Sequence, residues 1–204
     1  MKYDFTSIID RRGKDAIAVD RIPSDWVDFP VTIKDGFDRI PMWVADMNFP
    51  TVPTIAEAVI ERAKHLTYGY FDPSQEYYDS IIRWHETRNG MIGLTKEHIG
   101  YDNGVLGGVV SAMNVLGSAG DKVLVHSPTY IGFTKSLENN GYNLVHSQLE
   151  KDENGVYRMN LADMEKKIVQ QNIHVAIMCS PHNPTGRVWE KWELEQAMEL
   201  YKKH

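Results

Sequence analysis

A single cysteine, Cys179, stands among the 204 residues. No internal disulfide framework can brace such a chain, and a reducing cytoplasm is the expected setting. Cys179 falls inside an apolar stretch, where it reads as a small buried hydrophobe rather than a nucleophile. No apolar run approaches the ~20 residues that a bilayer-spanning helix needs. The amino terminus, Met1-Lys2-Tyr3-Asp4-Phe5, leads into polar and charged residues instead of the apolar core of a secretion signal. Positive charge is sparse: 22 Lys and Arg against 28 Asp and Glu give a net charge of −6. No basic block exceeds a pair such as Arg11-Arg12 or Lys202-Lys203, so neither nucleic acid nor a membrane surface is expected as a partner. The eight histidines include no helical His-x-x-x-His pair, and no metal site is expected. Carboxylates are plentiful but scattered, and none can be paired for acid–base work from sequence.

What is present describes a globular protein. Hydrophobic residues make up 42% and charged residues 25%, and the length permits one domain, or one large and one small. Residues 1–45 read as an irregular arm or part of a small domain, because Pro23, Pro30, Gly36 and Pro41 interrupt every apolar pattern. Residues 46–204 read as part of a larger domain. Helical spacing covers 54–66 and 75–89, the second with Tyr78, Ile81, Ile82 and His85 on one face. A short strand is expected over His98–Tyr101, then a helix from Val105 to Leu116. Strand 122–126, helix 131–139, extended 144–146, a polar turn at 151–155, helix 161–171, strand 174–179 and a helix from 190 to 203 complete the series. Strands alternating with such helices predict an α/β fold, a mostly parallel sheet sandwiched by helices. The last helix runs to His204 without a glycine cap, and a sheet ending there exposes an apolar edge. An incomplete polypeptide is the resulting expectation.

Three loops carry chemistry. Asn103-Gly104-Val105-Leu106-Gly107-Gly108 joins a predicted strand to a predicted helix, where glycine and the first helical amides suit a phosphate without any basic side chain. The spacing is neither a Walker loop nor Gly-x-Gly-x-x-Gly, which disfavours nucleoside triphosphates and dinucleotides. Tight packing of helix on sheet explains the same glycines equally well. Ser127-Pro128-Thr129-Tyr130 follows strand 122–126 and delivers Tyr130 either as a stacking platform or as a rim tyrosine. Ser180-Pro181-His182-Asn183-Pro184-Thr185-Gly186 follows a strand rich in β-formers that reads as buried on both faces; two prolines and a glycine force a turn there. Ligands bind at that end of open α/β sheets, and Asn183 can offer a directed amide. An ordinary connecting loop is the plainer reading. Taken together, the loops suit a flat, phosphorylated heteroaromatic.

The last of these loops resembles the Asn-Pro-Thr-Gly loop of fold-type I pyridoxal-phosphate enzymes, the aminotransferase class I/II superfamily. Trp43-Val44-Ala45-Asp46-Met47-Asn48-Phe49, Tyr68-Gly69-Tyr70 and Ser127-Pro128-Thr129-Tyr130 look like the cystathionine β-lyase, or cysteine-S-conjugate β-lyase, branch. Asn48 stands where that branch usually has a second acid, and Ala18-Val19-Asp20 where many members have Lys-Trp-Asp. The resemblance implies pyridoxal 5′-phosphate as cofactor, with Gly104, Val105 and Leu106 at its phosphate, Tyr130 stacked on its ring and Asn183 at its 3-oxygen. It also implies a homodimer in which Tyr70 reaches the neighbouring subunit's phosphate, while Ala45, Asp46 and Met47 border an amino-acid thioether substrate. Residues 46–204 would then be the first part of the cofactor-binding domain. The family's covalent-attachment lysine has no counterpart here, since Lys135, Lys166 and Lys191 read as helix-surface charges. The implied activity of the intact protein is C–S β-elimination giving thiol, pyruvate and ammonia, with the 204 residues alone inactive. A class I/II aminotransferase, and a non-catalytic truncated product or regulatory binder, remain as alternatives.

Overall fold

The structure, a computed structural model, describes residues 3–21, 33–38 and 40–204. Pro23 and Pro30, two of the residues expected to break up the arm, lie outside them. The chain divides into two units, residues 1–72 and 73–204.

In the first unit helical structure is confined, among the described residues, to α1 (Ile17–Asp20) and α2 (Pro53–Ala63). The Asp20 carboxylate shapes the turn before α1 by accepting the amides of Gly13 and Ala16 at 2.9 and 3.2 Å. Trp43 Nε1 donates to the Ala18 carbonyl at 3.1 Å. Pro53 opens α2, where its missing N–H costs nothing and its fixed φ suits the first turn. None of α2's residues is buried, and Ile55, Val59 and Ile60 are exposed.

The second unit begins with α3 (Gln75–Asn89), capped by Ser74, whose hydroxyl accepts the Tyr77 amide. Gly90, at φ 64, closes it in the left-handed conformation that glycine adopts most readily. The expected face is the inward one: Tyr78 is buried, and Ile81, Ile82 and His85 are half-buried. The strand expected over His98–Tyr101 is absent. Lys96–His98 is a 3-10 turn instead, because the His98 ring accepts the Thr95 amide at 3.1 Å and closes the segment on itself. Local capping wins where no neighbouring strand offers a ladder.

From there α4 (Gly104–Leu116), β1 (Lys122–Ser127), α5 (Ile131–Asn139) and β2 (Asn143–Gln148) alternate. A short hairpin, β3 (Glu150–Lys151) and β4 (Tyr157–Arg158), precedes α6 (Leu161–Gln171), β5 (Val175–Ile177) and α7 (Lys191–Lys203). The Asp152 carboxylate accepts the Asn154 and Val156 amides and so builds the polar turn between β3 and β4. The main sheet is parallel, in the order β2-β1-β5, with Val125 level with His146 and Ile177. β5 is shorter than the predicted 174–179 and only half-buried. It borders the described sheet, and the Cys179 carbonyl beyond it is taken by Trp189 Nε1 at 2.8 Å rather than by a ladder. Cys179 itself is half-buried, its thiol directed at the Pro181 carbonyl.

Strand alternation divides the core into two. Leu124, with Val145, packs on Met164, Ile168 and Ala197 of α6 and α7. Val123, from the other face of β1, packs with Met113 and Leu137 of α4 and α5. Helices therefore cover both faces of the sheet, as its pattern requires. Leu124→Ala should cost about 2–5 kcal/mol in chemical denaturation. Val115→Ala, on the exposed side of α4, should stay within about 0.5 kcal/mol.

Candidate functional site

Because β1 and β5 are parallel neighbours, the chain leaves both at one edge of the sheet. α4 feeds into β1 from behind, which returns the helix's amino end to that same edge. Gly132 shows that these loops meet. A Cβ there would overlap the Tyr130 ring and lie 3.0 Å from Leu106 Cδ1. Tyr130, the residue before α5, also packs edge-on against Phe133, centroids 5.4 Å apart, and its ring is still partly exposed.

Gly104 has φ +79, so the turn into α4 requires glycine, and its amide donates to the Asp102 carbonyl at 2.9 Å. No side chain caps the first turn of α4, and Val105 is 79% exposed. The positive end of a 13-residue helix thus faces outward with its amides uncapped. Gly107 serves a different purpose. The Asp102 carboxylate, which accepts the Asn103 amide at 2.7 Å and the Ser111 hydroxyl at 2.8 Å, would sit 2.5 Å from a Cβ on Gly107.

The Asn183 loop is tied down from inside. His182 donates its amide to the Arg187 carbonyl at 2.7 Å, and its own carbonyl accepts from Gly186 at 2.6 Å. Its ring, with the residue 2% exposed, is bonded through Nδ1 to the Thr185 hydroxyl at 2.8 Å. Asn183 and Pro184 at the tip are exposed. Beneath them lie His126 of β1 and Trp189, both buried. Burial, with His182 nearby, pushes the His126 ring's pKa down to about 4, and burial also lowers that of His182. Both rings are therefore neutral at physiological pH.

An ionic hub locks the far side of this loop. Glu193, 3% exposed, accepts from Arg187 and from the Glu190 amide at 2.8 Å, and lies 3.2 Å from Arg158. Arg158 also pairs with Asp152 at 3.0 Å and Glu190 at 2.9 Å. Hairpin, loop and α7 are joined through two guanidinium groups.

The remaining expected site residues lie in the first unit. Tyr70 is fully exposed, whereas Tyr68 folds back to donate to the Ala63 carbonyl at 2.7 Å, with Arg62 over its ring. Ala45 and Met47 are exposed, and Asp46 is paired with Arg11 at 2.7 Å. Asn48 braces the arm through its backbone, where its carbonyl accepts the Ile9 amide at 2.8 Å and holds two parts of the segment together.

So Leu106 and Tyr130 both border the space over Gly132, and Asn183 shares their edge of the sheet. Lys135, Lys166 and Lys191 are exposed helix residues, as expected. Sequence reasoning missed Gly132, His126, His182, Trp189 and Glu193. His126 carried one usable signal: it continues the inward register of a strand whose preceding three residues are all apolar.

Glu193→Gln should cost about 1.5–3 kcal/mol by denaturant midpoint, since two guanidinium groups lose their shared carboxylate. Lys191→Ala, which removes an exposed pair with Glu195, should change stability by no more than about 0.5 kcal/mol.

Comparison with known proteins gives a consistent result. Cystathionine beta-lyase PatB of Bacillus subtilis is 36% identical over 168 residues, 82% of this chain and 43% of that protein. Protein MalY of Escherichia coli is 28% identical over 99% of this chain and 50% of its own length. The structure of the pyridoxal-phosphate-bound C-S lyase of Staphylococcus hominis, complexed with L-cycloserine, superposes with a TM-score of 0.85 at 32% identity, covering all of this chain and 51% of that one. The chain spans about half the length of the curated relatives it matches. The family model for aminotransferase class I and II matches residues 40–204, an interval that takes in the α4 turn, the Tyr130 turn and the Asn183 loop. This chain belongs to the aminotransferase class I and II family.

Proposed function

We propose that this chain supplies much of the pyridoxal 5′-phosphate seat of a carbon–sulfur β-lyase. Its substrate would be an amino-acid thioether such as cystathionine, cleaved with water to a thiol, pyruvate and ammonia. The observation that carries this reading is the meeting of Leu106 and Tyr130 at Gly132, on the edge that also presents Asn183.

The residues fit that group on three counts. The uncapped first turn of α4 suits a phosphate dianion with no cationic side chain. Tyr130 is held by Phe133 and packs over a glycine where a Cβ would displace it, so its ring plane is set by packing. Asn183 offers an exposed amide on a loop tied down from within. When bound, the cofactor supplies an electron sink for charge developing at the substrate α-carbon. The amides of Val105 and Leu106 hold the phosphate end, Tyr130 fixes the ring plane, and Asn183 donates to the 3-oxygen. Tyr70 extends to the phosphate of a neighbouring subunit in a homodimer, which accounts for a fully exposed tyrosine in a single chain. Ala45, Asp46 and Met47 border the substrate, with Asp46 paired to Arg11. In this reading residues 1–45 form the arm, residues 46–204 open the cofactor domain, and the enzyme is cytoplasmic. None of the described residues is assigned the covalent attachment or the α-proton.

The intact protein, loaded with pyridoxal phosphate, should release thiol and pyruvate in equal amounts from cystathionine. Keto-acid-dependent amino transfer without thiol release would replace the lyase with an aminotransferase. Cofactor binding without either reaction would leave a binder. Asn183→Ala should weaken cofactor affinity about 10- to 100-fold, the loss of one hydrogen bond to a charged oxygen. Gly132→Ala should weaken it about tenfold by turning the Tyr130 ring, and both are measured by absorbance titration.

A further inference from the structure

We propose that His182 is the positioning residue for Asn183, its ring wedged against His126 and Trp189 so that the exposed amide leaves the loop in one direction. The relevance to cofactor rests on the function proposed above; the wedge itself is a property of the chain. Adjacent residues here have opposite fates. His182 is 2% exposed, while Asn183 is exposed. His182 is fixed through its amide to Arg187, its carbonyl to Gly186 and its Nδ1 to Thr185. Three rings form a triangle below the tip. The His182 centroid lies 5.5 Å from Trp189 and 6.5 Å from His126, and the latter two are 6.1 Å apart. Trp189 closes the neck of the loop through its bond to the Cys179 carbonyl. His126 belongs to β1, whose Val123, Leu124 and Val125 are almost wholly buried. Asn183 is therefore referenced to the central strand, and Pro184 restricts its backbone further.

The wedge tolerates only uncharged rings. His126 Nδ1 and His182 Nε2 are buried without a hydrogen-bond partner, so a proton added to either is poorly compensated. The charged groups on the elements packed around the pair are already engaged. On α6, Asp163 is bonded to Lys167 and to Ser147 of β2, which is level with His126. On α7 and its approach, Glu193 and Glu190 are held by Arg187 and Arg158, and Arg158 also holds Asp152. The folded loop thus binds fewer protons than an unfolded one. Its stability is intact above the ordinary histidine range and declines as pH falls from about 6.5 towards about 4.

The experiment uses the intact protein, free of cofactor and then loaded with pyridoxal phosphate. In the cofactor-free protein the side-chain amide resonances of Asn183 should be dispersed and constant between about pH 7.5 and 6.5, moving to random-coil values as pH falls towards 5. His182→Ala should give random-coil Asn183 signals already at neutral pH while circular dichroism stays native. His126→Phe, which keeps a ring in the wedge but removes the buried imidazole, should keep the Asn183 signals dispersed to lower pH than in the parent protein. In the loaded protein His182→Ala should weaken affinity for pyridoxal phosphate about tenfold. Native-like Asn183 signals in His182→Ala would overturn the inference, as would an unchanged pH course in His126→Phe. If the parent protein binds no pyridoxal phosphate, the proposed function falls, and the Asn183 signals still decide the wedge.

Discussion

The described part of the second unit hangs on one strand. β1 is paired on both sides, by β2 and β5, and its Val123, Leu124 and Val125 are buried on both faces. A backbone hydrogen-bonded on two edges and covered on two faces has no remaining freedom to slide. Everything at the sheet's carboxyl edge inherits its position from that constraint. Tyr130 follows β1 after a short turn, Asn183 follows β5 in register with β1, and α4 is anchored to the same strand through Met113. The three loops are far apart in sequence and share one reference, the strand to which each is tied.

Two devices then refine the placement. Gly132 and Gly107 are sites of close approach, one for an aromatic ring and one for the Asp102 carboxylate. The ionic hub around Glu193 joins the β3–β4 hairpin to the loop that ends at Trp189. Buried ion pairs of this kind contribute little net stability against apolar alternatives, but losing one partner is costly. Their effect here is geometric: Arg187 cannot move without Glu193, and the backbone of Arg187 holds His182. The neutral imidazoles complete the chain of dependence from strand to exposed amide.

Much of the fold was legible in the residues. Helices 75–89, 131–139 and 161–171 have the bounds that periodicity assigns, because each has strong stop signals and one continuous apolar face. β1 and β2 were legible for the same reason, as apolar runs between polar turns. Two extended segments were not. His98–Tyr101 has strand-forming residues but no partner strand, and β5 is three residues long because Trp189 claims a carbonyl beyond it. Pairing decides such cases, and pairing is not local.

The candidate site divides the same way. The residue types and loop chemistry at Gly104, Tyr130 and Asn183 were set by the chain itself, since glycine at positive φ and proline-bounded turns impose their geometry wherever they occur. That Leu106 lies beside Tyr130 over Gly132, and that His126 stands beneath His182, was decided only by the register of parallel strands. Those pairs are separated by 24 and 56 positions along the chain, respectively. No local propensity acts across such distances; only the burial of β1 between two sets of helices brings them together.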